Sequence, residues 1–170
     1  MSCNQTLAGL AKDCATSMGG IRTVYIANYD DVTSVTVTDG KITAIALTTG
    51  KKFLQYHFKK NTGSMTSTLN VNAESGNFVT TDLVLSFLKM ETRKRIEMSA
   101  LSANELAVVV EDCNGLYWYL GYDEPVTAGA GEGLTGVQKT DANRYGLTLR
   151  DESREYPYEI EATVIAGLTE

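Results

Sequence analysis

The single histidine, His57, is the residue on which most nucleophilic catalysis in this chain would depend. A Ser-His-Asp or Cys-His arrangement needs an imidazole to accept the proton of the nucleophile. His57 lies between Tyr56 and Phe58 in a stretch of alternating residues, a pattern typical of a strand that presents the ring outward or at an interface. We therefore expect no catalytic residue here and no enzymatic activity.

A glycine motif at residues 131–136 has the spacing G-x-G-x-x-G. In dinucleotide-binding proteins this motif follows a strand and opens a helix, whose amino terminus holds the pyrophosphate. The flanking residues 125–129 and 137–143 do not supply this strand-and-helix context, and no Gly-Lys-Ser/Thr sequence is present. The sequence therefore predicts a flexible loop here and no cofactor.

Carboxylates cluster at three places where a turn or a strand end would leave them solvated. Calcium-binding loops usually place acids at alternate positions around a glycine, which these clusters do not. The three cysteines are odd in number and widely spaced, unlike a disulfide framework or a zinc site. We expect no metal site and reduced cysteines. The residues concerned are Asp30, Asp31, Glu111, Asp112, Asp151, Glu152 and Glu155 with Cys3, Cys14 and Cys113.

The chain is acidic, with a formal net charge of -6, whereas nucleic-acid binders usually carry a basic stripe. Acidity suits a surface past which nucleic acid slides without sticking. The longest apolar runs, such as residues 106–110, are too short to cross a bilayer, so we expect no membrane partner. The amino terminus shows no secretory signal, which predicts synthesis in a cytoplasm.

Alternating apolar residues separated by turn signals predict a mainly β protein (α+β) with a single domain over residues 1–170. Asp39-Gly40 and Asn114-Gly115 each predict a tight hairpin. One long strand is predicted at 78–88, followed by one helix at 89–102. Further strands are predicted at 21–27, 32–38, 42–47, 106–111, 116–121, 145–150 and 156–164.

Three segments do not fit a buried strand. Residues 1–20 have weak helical spacing and predict an amino-terminal arm or a short helix. Residues 51–71 alternate and then return through Ser, Thr and Asn, which predicts a long hairpin that protrudes from the core or pairs with a neighbouring chain. Residues 123–139 contain four glycines and predict a flexible loop.

Two groups of residues are candidates for a subunit interface. Arg93, Lys94 and Arg95 form a basic run on the predicted helix, which indicates either a solvated face or a contact with an acidic partner subunit. Tyr117 and Tyr119 alternate with Trp118, so both tyrosines face the same side. They are either half-exposed beside a core tryptophan or placed at a subunit interface.

The order of these segments resembles a family of tail-tube-fold structural proteins from tailed phages of Bacteroides-type bacteria, including the crAss-like phages. The resemblance spans nearly the whole chain in short pieces. It is carried by Asp13, Cys14, residues 19–21, 24–28 and 49–53, Tyr56, Phe58, Lys60, residues 89–91, Lys94, Arg95, residues 109–112, Asn114, Gly115, Tyr117, Trp118, Asp141 and residues 143–149.

This resemblance implies a barrel or sandwich of two antiparallel sheets, with one flanking helix and a long protruding hairpin. It implies a structural virion protein, made in the host cytoplasm, that forms a hexameric or dodecameric ring in the tail or neck. Adjacent tail or neck proteins would be its partners, and DNA would pass through the ring during ejection. Tail-tube, tail-terminator and head–tail connector positions all remain open.

If the protein forms such a channel, one sheet face should present polar and acidic residues to passing DNA, because a basic lumen would bind phosphates. Thr66, Thr68 and Asn70 share one side of their predicted strand and are the expected lumen-facing residues. The alternative function is a monomeric β-sandwich that binds a ligand or carbohydrate, with Tyr117, Tyr119 and Tyr122 as a stacking platform.

Overall fold

The computed structural model describes residues 7–72, 74 and 76–169, which form a mainly β fold, as the sequence predicts. Its strands are β1 (Ile21–Asn28), β2 (Val32–Thr38), β3 (Lys41–Leu47), β4 (Leu54–Tyr56), β5 (Ser64–Asn70), β6 (Phe78–Leu88), β7 (Leu106–Asp112), β8 (Tyr117–Leu120), β9 (Thr127–Leu134), β10 (Arg144–Ser153) and β11 (Tyr158–Ile160). The helices are α1 (Thr92–Ala103) and the single turn α2 (Ala162–Ile165). Neither described helix has the length and apolar character needed to span a membrane.

The strands form two sheets that pack as a sandwich. The seven-stranded sheet has the order β2-β3-β11-β8-β7-β1-β4, and the four-stranded sheet has the order β5-β6-β10-β9. Neighbouring strands are antiparallel, except that β11 pairs with β3 in parallel. In the described part of the chain no strand joins the two sheets, so the barrel allowed by the sequence analysis is wrong and the sandwich is confirmed.

The first apolar cluster lies between the two sheets. It forms because alternate residues of β6 and β10 point inward while their neighbours point to solvent. Residues of β1 and β7 meet them from the seven-stranded sheet. The buried residues that form the centre of this cluster include Val24, Ile26, Leu83, Leu85, Val108, Val110, Leu147 and Leu149.

A second apolar cluster covers the opposite face of the seven-stranded sheet. Val109 and Tyr119 contribute to it from β7 and β8, and Phe53 and Ile165 pack against them. Strand β7 is therefore buried on both faces, which explains its continuous apolar run. The strand predicted at 156–164 ends early because the chain turns into α2, where Ile165 becomes buried in this cluster.

Helix α1 covers one side of the core between the sheets, where Leu101 is buried and Met98 packs beside it. The helix begins at Thr92, three residues later than predicted. Lys89 has a positive φ of 67°, which is incompatible with a right-handed helix. The amide of Lys89 instead donates to the carbonyl oxygen of Asn143 (2.7 Å), so this residue closes the end of β6.

The protruding hairpin predicted at 51–71 is wrong. Its first arm, β4, pairs with β1 of the seven-stranded sheet, and its second arm, β5, pairs with β6 of the four-stranded sheet. The segment therefore connects the edges of two different sheets. Strand β5 is polar because its alternate side chains Thr66, Thr68 and Asn70 lie on the outward face of the four-stranded sheet.

The flexible loop predicted at 123–139 is also wrong in its central part. Residues 127–134 form β9, which pairs with β10 along the edge of the four-stranded sheet. Close packing explains one glycine of this strand, because a Cβ at Gly133 would lie 3.1 Å from side-chain atoms of both Met90 and Tyr145. The glycine content predicted a flexible loop. At Gly133, however, the absence of a side chain lets Met90 and Tyr145 approach the strand.

The described part of the amino-terminal arm, residues 7–20, contains neither helix nor strand, and residues 1–6, including Cys3, lie outside the described part. Asn114 of the β7–β8 hairpin holds the end of the arm. Its side-chain oxygen accepts the amide of Met18 (2.8 Å), and its side-chain nitrogen donates to the Met18 carbonyl (3.1 Å). Beyond this anchor, Leu7 and Leu10 are fully exposed.

Candidate functional site: the polar face of the four-stranded sheet

The outward face of the four-stranded sheet carries polar side chains on each of its strands, which we call the polar sheet face. Alternation places these residues on the side of β5, β6, β10 and β9 that points away from the core. The polar sheet face consists of Thr66, Thr68, Asn70, Thr80, Asp82, Glu132, Arg144, Thr148, Arg150 and Glu152.

The three residues predicted to face a lumen all lie on this face. Thr66 and Thr68 are exposed, and Asn70 is half-buried. The Asn70 side-chain nitrogen donates to Oγ1 of Thr80 on the neighbouring strand (2.8 Å). The structure thus brings these residues together on one solvent-facing surface, although it assigns no lumen to the single chain.

The charged groups of the polar sheet face are arranged so that each arginine meets a carboxylate. Arg150 donates two hydrogen bonds to Asp82, from Nε to Oδ1 (2.8 Å) and from Nη2 to Oδ2 (3.1 Å). Arg144 donates from Nη2 to Oε1 of Glu132 (3.2 Å). Glu152 is exposed and has no ion pair among the described residues, so the face carries one net negative charge.

The pairing of Arg150 with Asp82 also affects the pKa of the arginine. Hydrogen bonding to the Asp82 carboxylate raises the pKa of Arg150 above its ordinary value, so the guanidinium remains charged and paired. The four strands contain no lysine. A phosphate approaching this face therefore meets hydroxyls, one amide, paired arginines and the carboxylate of Glu152. These polar groups are interrupted by the exposed apolar side chains of Phe78, Val84, Leu88 and Leu134.

The charged residues of the polar sheet face were not predicted from the sequence. Only residues of β5 were expected to face a lumen, because that strand is rich in Ser and Thr. Strands β6 and β10 carry the same signal at alternate positions, with Thr80 and Asp82 on one strand and Arg150 and Glu152 on the other. The order of β5, β6 and β10 in the sheet is set by long-range contacts that a single strand pattern does not indicate.

The three residues of the basic run on α1 differ in their contacts. Arg93 and Arg95 are exposed and form no ion pair within the described residues. Lys94 is half-buried, since its Nζ donates to the Leu88 carbonyl (2.6 Å) and lies 3.2 Å from Oε1 of Glu91. Lys94 therefore already has partners in its own chain, and its place at a subunit interface stays a prediction.

The tyrosines predicted at an interface are also used internally. Tyr119 is 1% exposed and belongs to the second apolar cluster, so its assignment to an interface or an exposed stacking platform is wrong. Tyr117 is half-buried and packs against the same cluster. Alternation correctly placed both tyrosines on one side, but it could not show that this side is covered.

Asp112, which belongs to one of the acidic clusters of the sequence, makes hydrogen bonds that hold the β7–β8 hairpin. Oδ1 of Asp112 accepts the amides of Asn114 (2.8 Å) and Leu116 (3.0 Å) within the β7–β8 hairpin, and Oδ2 accepts the indole Nε1 of Trp118 (3.1 Å). Partial burial alone would raise the pKa of Asp112, but these hydrogen bonds lower it. Across residues 7–72, 74 and 76–169, no three His, Cys, Asp or Glu side chains come together as a metal site.

A groove of about 590 Å³ runs between β4 and α1, on the side of the molecule that contains His57. Leu54, Met98 and Leu101 contribute apolar surface to it. The hydroxyl of Tyr56 donates to a carboxylate oxygen of Glu97 across the groove. Strand β4 is the open edge of the seven-stranded sheet, so unpaired backbone groups lie beside this apolar surface.

Comparisons of the chain with protein-family models, curated proteins and solved structures gave no match.

Proposed function

We propose that this protein is a structural subunit that assembles with copies of itself into a ring of a phage tail or neck. In this proposal the polar sheet face lines the channel through which DNA passes. The resemblance of the sequence to tail-tube-fold proteins gives the biological setting. The observation that carries the proposal is the charge arrangement of the polar sheet face, where acids neutralise both arginines.

A channel for DNA must avoid attracting phosphates, because each cation that contacts a phosphate adds affinity through counterion release. The polar sheet face meets this requirement, since Arg150 and Arg144 are occupied by Asp82 and Glu132. Arg93 and Arg95, which have no such partner, lie on α1 and not on this sheet. They are available to contact acids of a neighbouring subunit.

The amino-terminal arm supports assembly between copies. Leu7 is 94% exposed and Leu10 is 103% exposed, although burial of each leucine would contribute about 2 kcal/mol. We propose that the arm of one copy lies in the groove between β4 and α1 of the next. The apolar surface of Leu54 and Met98 and the open edge of β4 would both be covered by this contact.

Sedimentation at increasing protein concentration, with electron microscopy of the same samples, tests the proposal. We expect closed rings for the native chain. The double substitution Leu7→Ser with Leu10→Ser should give a folded monomer, because both side chains make no contribution to the core of their own chain. Val137→Ser is the matched control, since Val137 is 99% exposed in a different segment.

A native chain that stays monomeric at every concentration, alone and with tail or neck proteins, would contradict the proposal. That outcome would favour the alternative of a monomeric ligand-binding sandwich. Rings that form equally well with Leu7→Ser and Leu10→Ser would support assembly but exclude the role given to the arm.

A further inference from the structure

A second recess, distinct from the polar sheet face, is lined by four tyrosines. It has a volume of about 190 Å³ and lies between the end of β8 and the segment that connects β10 to β11. Tyr119 and Tyr122 come from the first of these segments, and Tyr156 and Tyr158 come from the second. We call this recess the tyrosine pocket.

The walls of the tyrosine pocket are fixed to each other by direct contacts. Oδ2 of Asp123 accepts the amide of Arg154 (2.9 Å), which joins the two segments. The rings of Tyr122 and Tyr158 meet edge to face, with centroids 4.8 Å apart. The hydroxyl of Tyr158 donates to Oε2 of Glu155 (2.7 Å), and this hydrogen bond raises the pKa of Tyr158 to about 12.

A buried carboxylate supports the pocket from below. Oδ1 of Asp151 accepts the amide of Gly121 (3.0 Å), and its Oδ2 accepts the hydroxyl of Ser153 (2.7 Å). Asp151 is 1% exposed, and burial raises its pKa above the usual range. The chain is therefore held in place immediately before Tyr122 on one side and before Arg154 on the other, so the pocket is preformed.

Several polar groups of the pocket have hydrogen-bonding capacity that the protein does not use. The hydroxyl of Tyr119 is buried and has no hydrogen-bond partner among the described residues, which is costly for a buried polar group. The guanidinium of Arg154 makes no hydrogen bond or ion pair in the same part of the chain. Asp123 and Glu155 each retain one carboxylate oxygen without a partner.

These groups define the chemistry of a ligand. The aromatic faces suit a ring with C–H groups on one side, while Arg154 offers donors and the two carboxylates offer acceptors. A hydroxyl group can both donate and accept, so a polyhydroxylated ring uses both kinds of partner. The two carboxylates, Asp123 and Glu155, outnumber the one guanidinium of Arg154, so the pocket disfavours an anionic ligand. The small volume limits the ligand to a single ring, below the size of a drug-like molecule.

We propose that the tyrosine pocket binds one residue of a neutral sugar. The ring would stack against the exposed tyrosines Tyr122 and Tyr156, and its hydroxyl groups would reach Arg154, Asp123 and Glu155. This inference goes beyond assembly into rings and does not depend on it, because all the residues of the pocket belong to one chain.

Saturation-transfer difference NMR of the native chain tests this inference, since the method detects bound ligand on monomers and on large assemblies. The probes are glucose, galactose, mannose and N-acetylglucosamine, with tetramethylammonium as a cationic probe. We expect saturation of the ring protons of at least one sugar. Arg154→Ala should weaken its binding by about tenfold, as for loss of a hydrogen bond to a charged group.

The matched control is Arg93→Ala, because Arg93 is also exposed and unpaired in the described part of the chain but lies on α1. It should leave binding unchanged. Tyr156→Ala provides a second test and should also weaken sugar binding. Because Tyr156 is 55% exposed, its loss should not affect folding. No transfer to any of the four sugars, transfer to tetramethylammonium alone, or equal loss with Arg93→Ala would each overturn the inference.

Discussion

The pair formed by Asp82 and Arg150 shows how one contact can decide what a surface does. Both side chains are partly exposed, so the pair adds little to the stability of the fold. Its effect is instead on the surface itself, because an unpaired arginine at this position would be a strong phosphate ligand. The two hydrogen bonds that Arg150 donates to Asp82 occupy the guanidinium edge that would otherwise be free to bind a phosphate.

Asp82→Asn should therefore change DNA retention more than it changes folding. The asparagine keeps the side-chain volume but removes the charge that neutralises Arg150. We expect rings of this variant to retain DNA at low salt and to release it as the salt concentration rises. Arg150→Gln is the matched control and should not retain DNA. Equal DNA binding by the native, Asp82→Asn and Arg150→Gln rings would contradict the role of this pair.

Thr66→Lys combined with Thr68→Lys should add phosphate ligands to the same surface. Both threonines are exposed on an edge strand, so we expect assembly to be unaffected. Each added lysine that contacts a phosphate should steepen the logarithmic salt dependence of DNA binding by about 0.9. Filter binding over a salt series measures this slope. Thr36→Lys, at an exposed position of β2 in the other sheet, should leave it unchanged.

Asp112 provides a prediction about stability. Asp112→Ala removes the acceptor of three hydrogen bonds in the β7–β8 hairpin and should lower the free energy of unfolding by about 1–3 kcal/mol at pH 7. Asp112→Asn should cost less, because one side-chain oxygen can still accept the amides of Asn114 and Leu116.

The pH dependence of this effect follows from the lowered pKa of Asp112. Its carboxylate stabilises the folded state above the unfolded pKa of 3.8, and this contribution is lost as the pH falls through the lower folded value. Chemical denaturation of the native chain and Asp112→Asn should therefore show a difference at pH 7 that narrows below pH 3.8. A difference that stays constant or widens in acid would show that the charge of Asp112 does not contribute.

At the scale of elements, the open sheet edges and the amino-terminal arm are the features that remain exposed in a single chain. Strands β2 and β4 end one sheet and β5 and β9 end the other. Exposed edges carry unpaired backbone groups that can recruit another chain. The arm leaves the fold next to Asn114, which fixes where it starts but does not cover Leu7 or Leu10.

Asn114→Ala should release the arm without unfolding the sandwich. The substitution removes both hydrogen bonds to Met18 but leaves Gly115, which provides the positive φ of the turn. We expect faster proteolysis of residues 7–20 and weaker ring formation. Limited proteolysis and sedimentation measure the two effects. Asn61→Ala is not a suitable control because Asn61 has a positive φ, whereas Asn104→Ala, at the end of α1, is suitable.

Local patterns predicted some elements well because local chemistry decides them. The Asp39-Gly40 and Asn114-Gly115 turns form the predicted hairpins, since both glycines adopt a positive φ. The bounds of β6 also match the prediction. The polar sheet face was predicted only in part, because the alternation of β5 shows which residues share a side but not which strands lie next to them.

The errors arose where long-range packing decides the outcome. Strands β4 and β5 are close in sequence but join different sheets, and no local signal distinguishes that arrangement from a hairpin. Strand β9 forms because β10 supplies partners for its backbone, although its glycines have little intrinsic preference for strands. Tyr119 is buried because α2 and Phe53 contribute to a second cluster, which the pattern of β8 does not indicate.

At the scale of the whole molecule, different surfaces of the protein have different roles in the proposed ring. The polar sheet face would point to the bore, whereas the arm and the groove between β4 and α1 would join neighbouring subunits. Arg93 and Arg95 would then lie between subunits or outside the ring. The charge of -6 per chain would repeat around the ring, which helps the assembly to repel DNA.

An electron cryo-microscopy reconstruction of the assembled particle is the decisive test of the proposed ring. We expect a closed ring in which Thr66, Thr68 and the Asp82–Arg150 pair face the bore. Arg93 and Arg95 should be outside the bore or at subunit contacts. A ring with Arg93 and Arg95 lining the bore and Thr66 on the outer surface would contradict it.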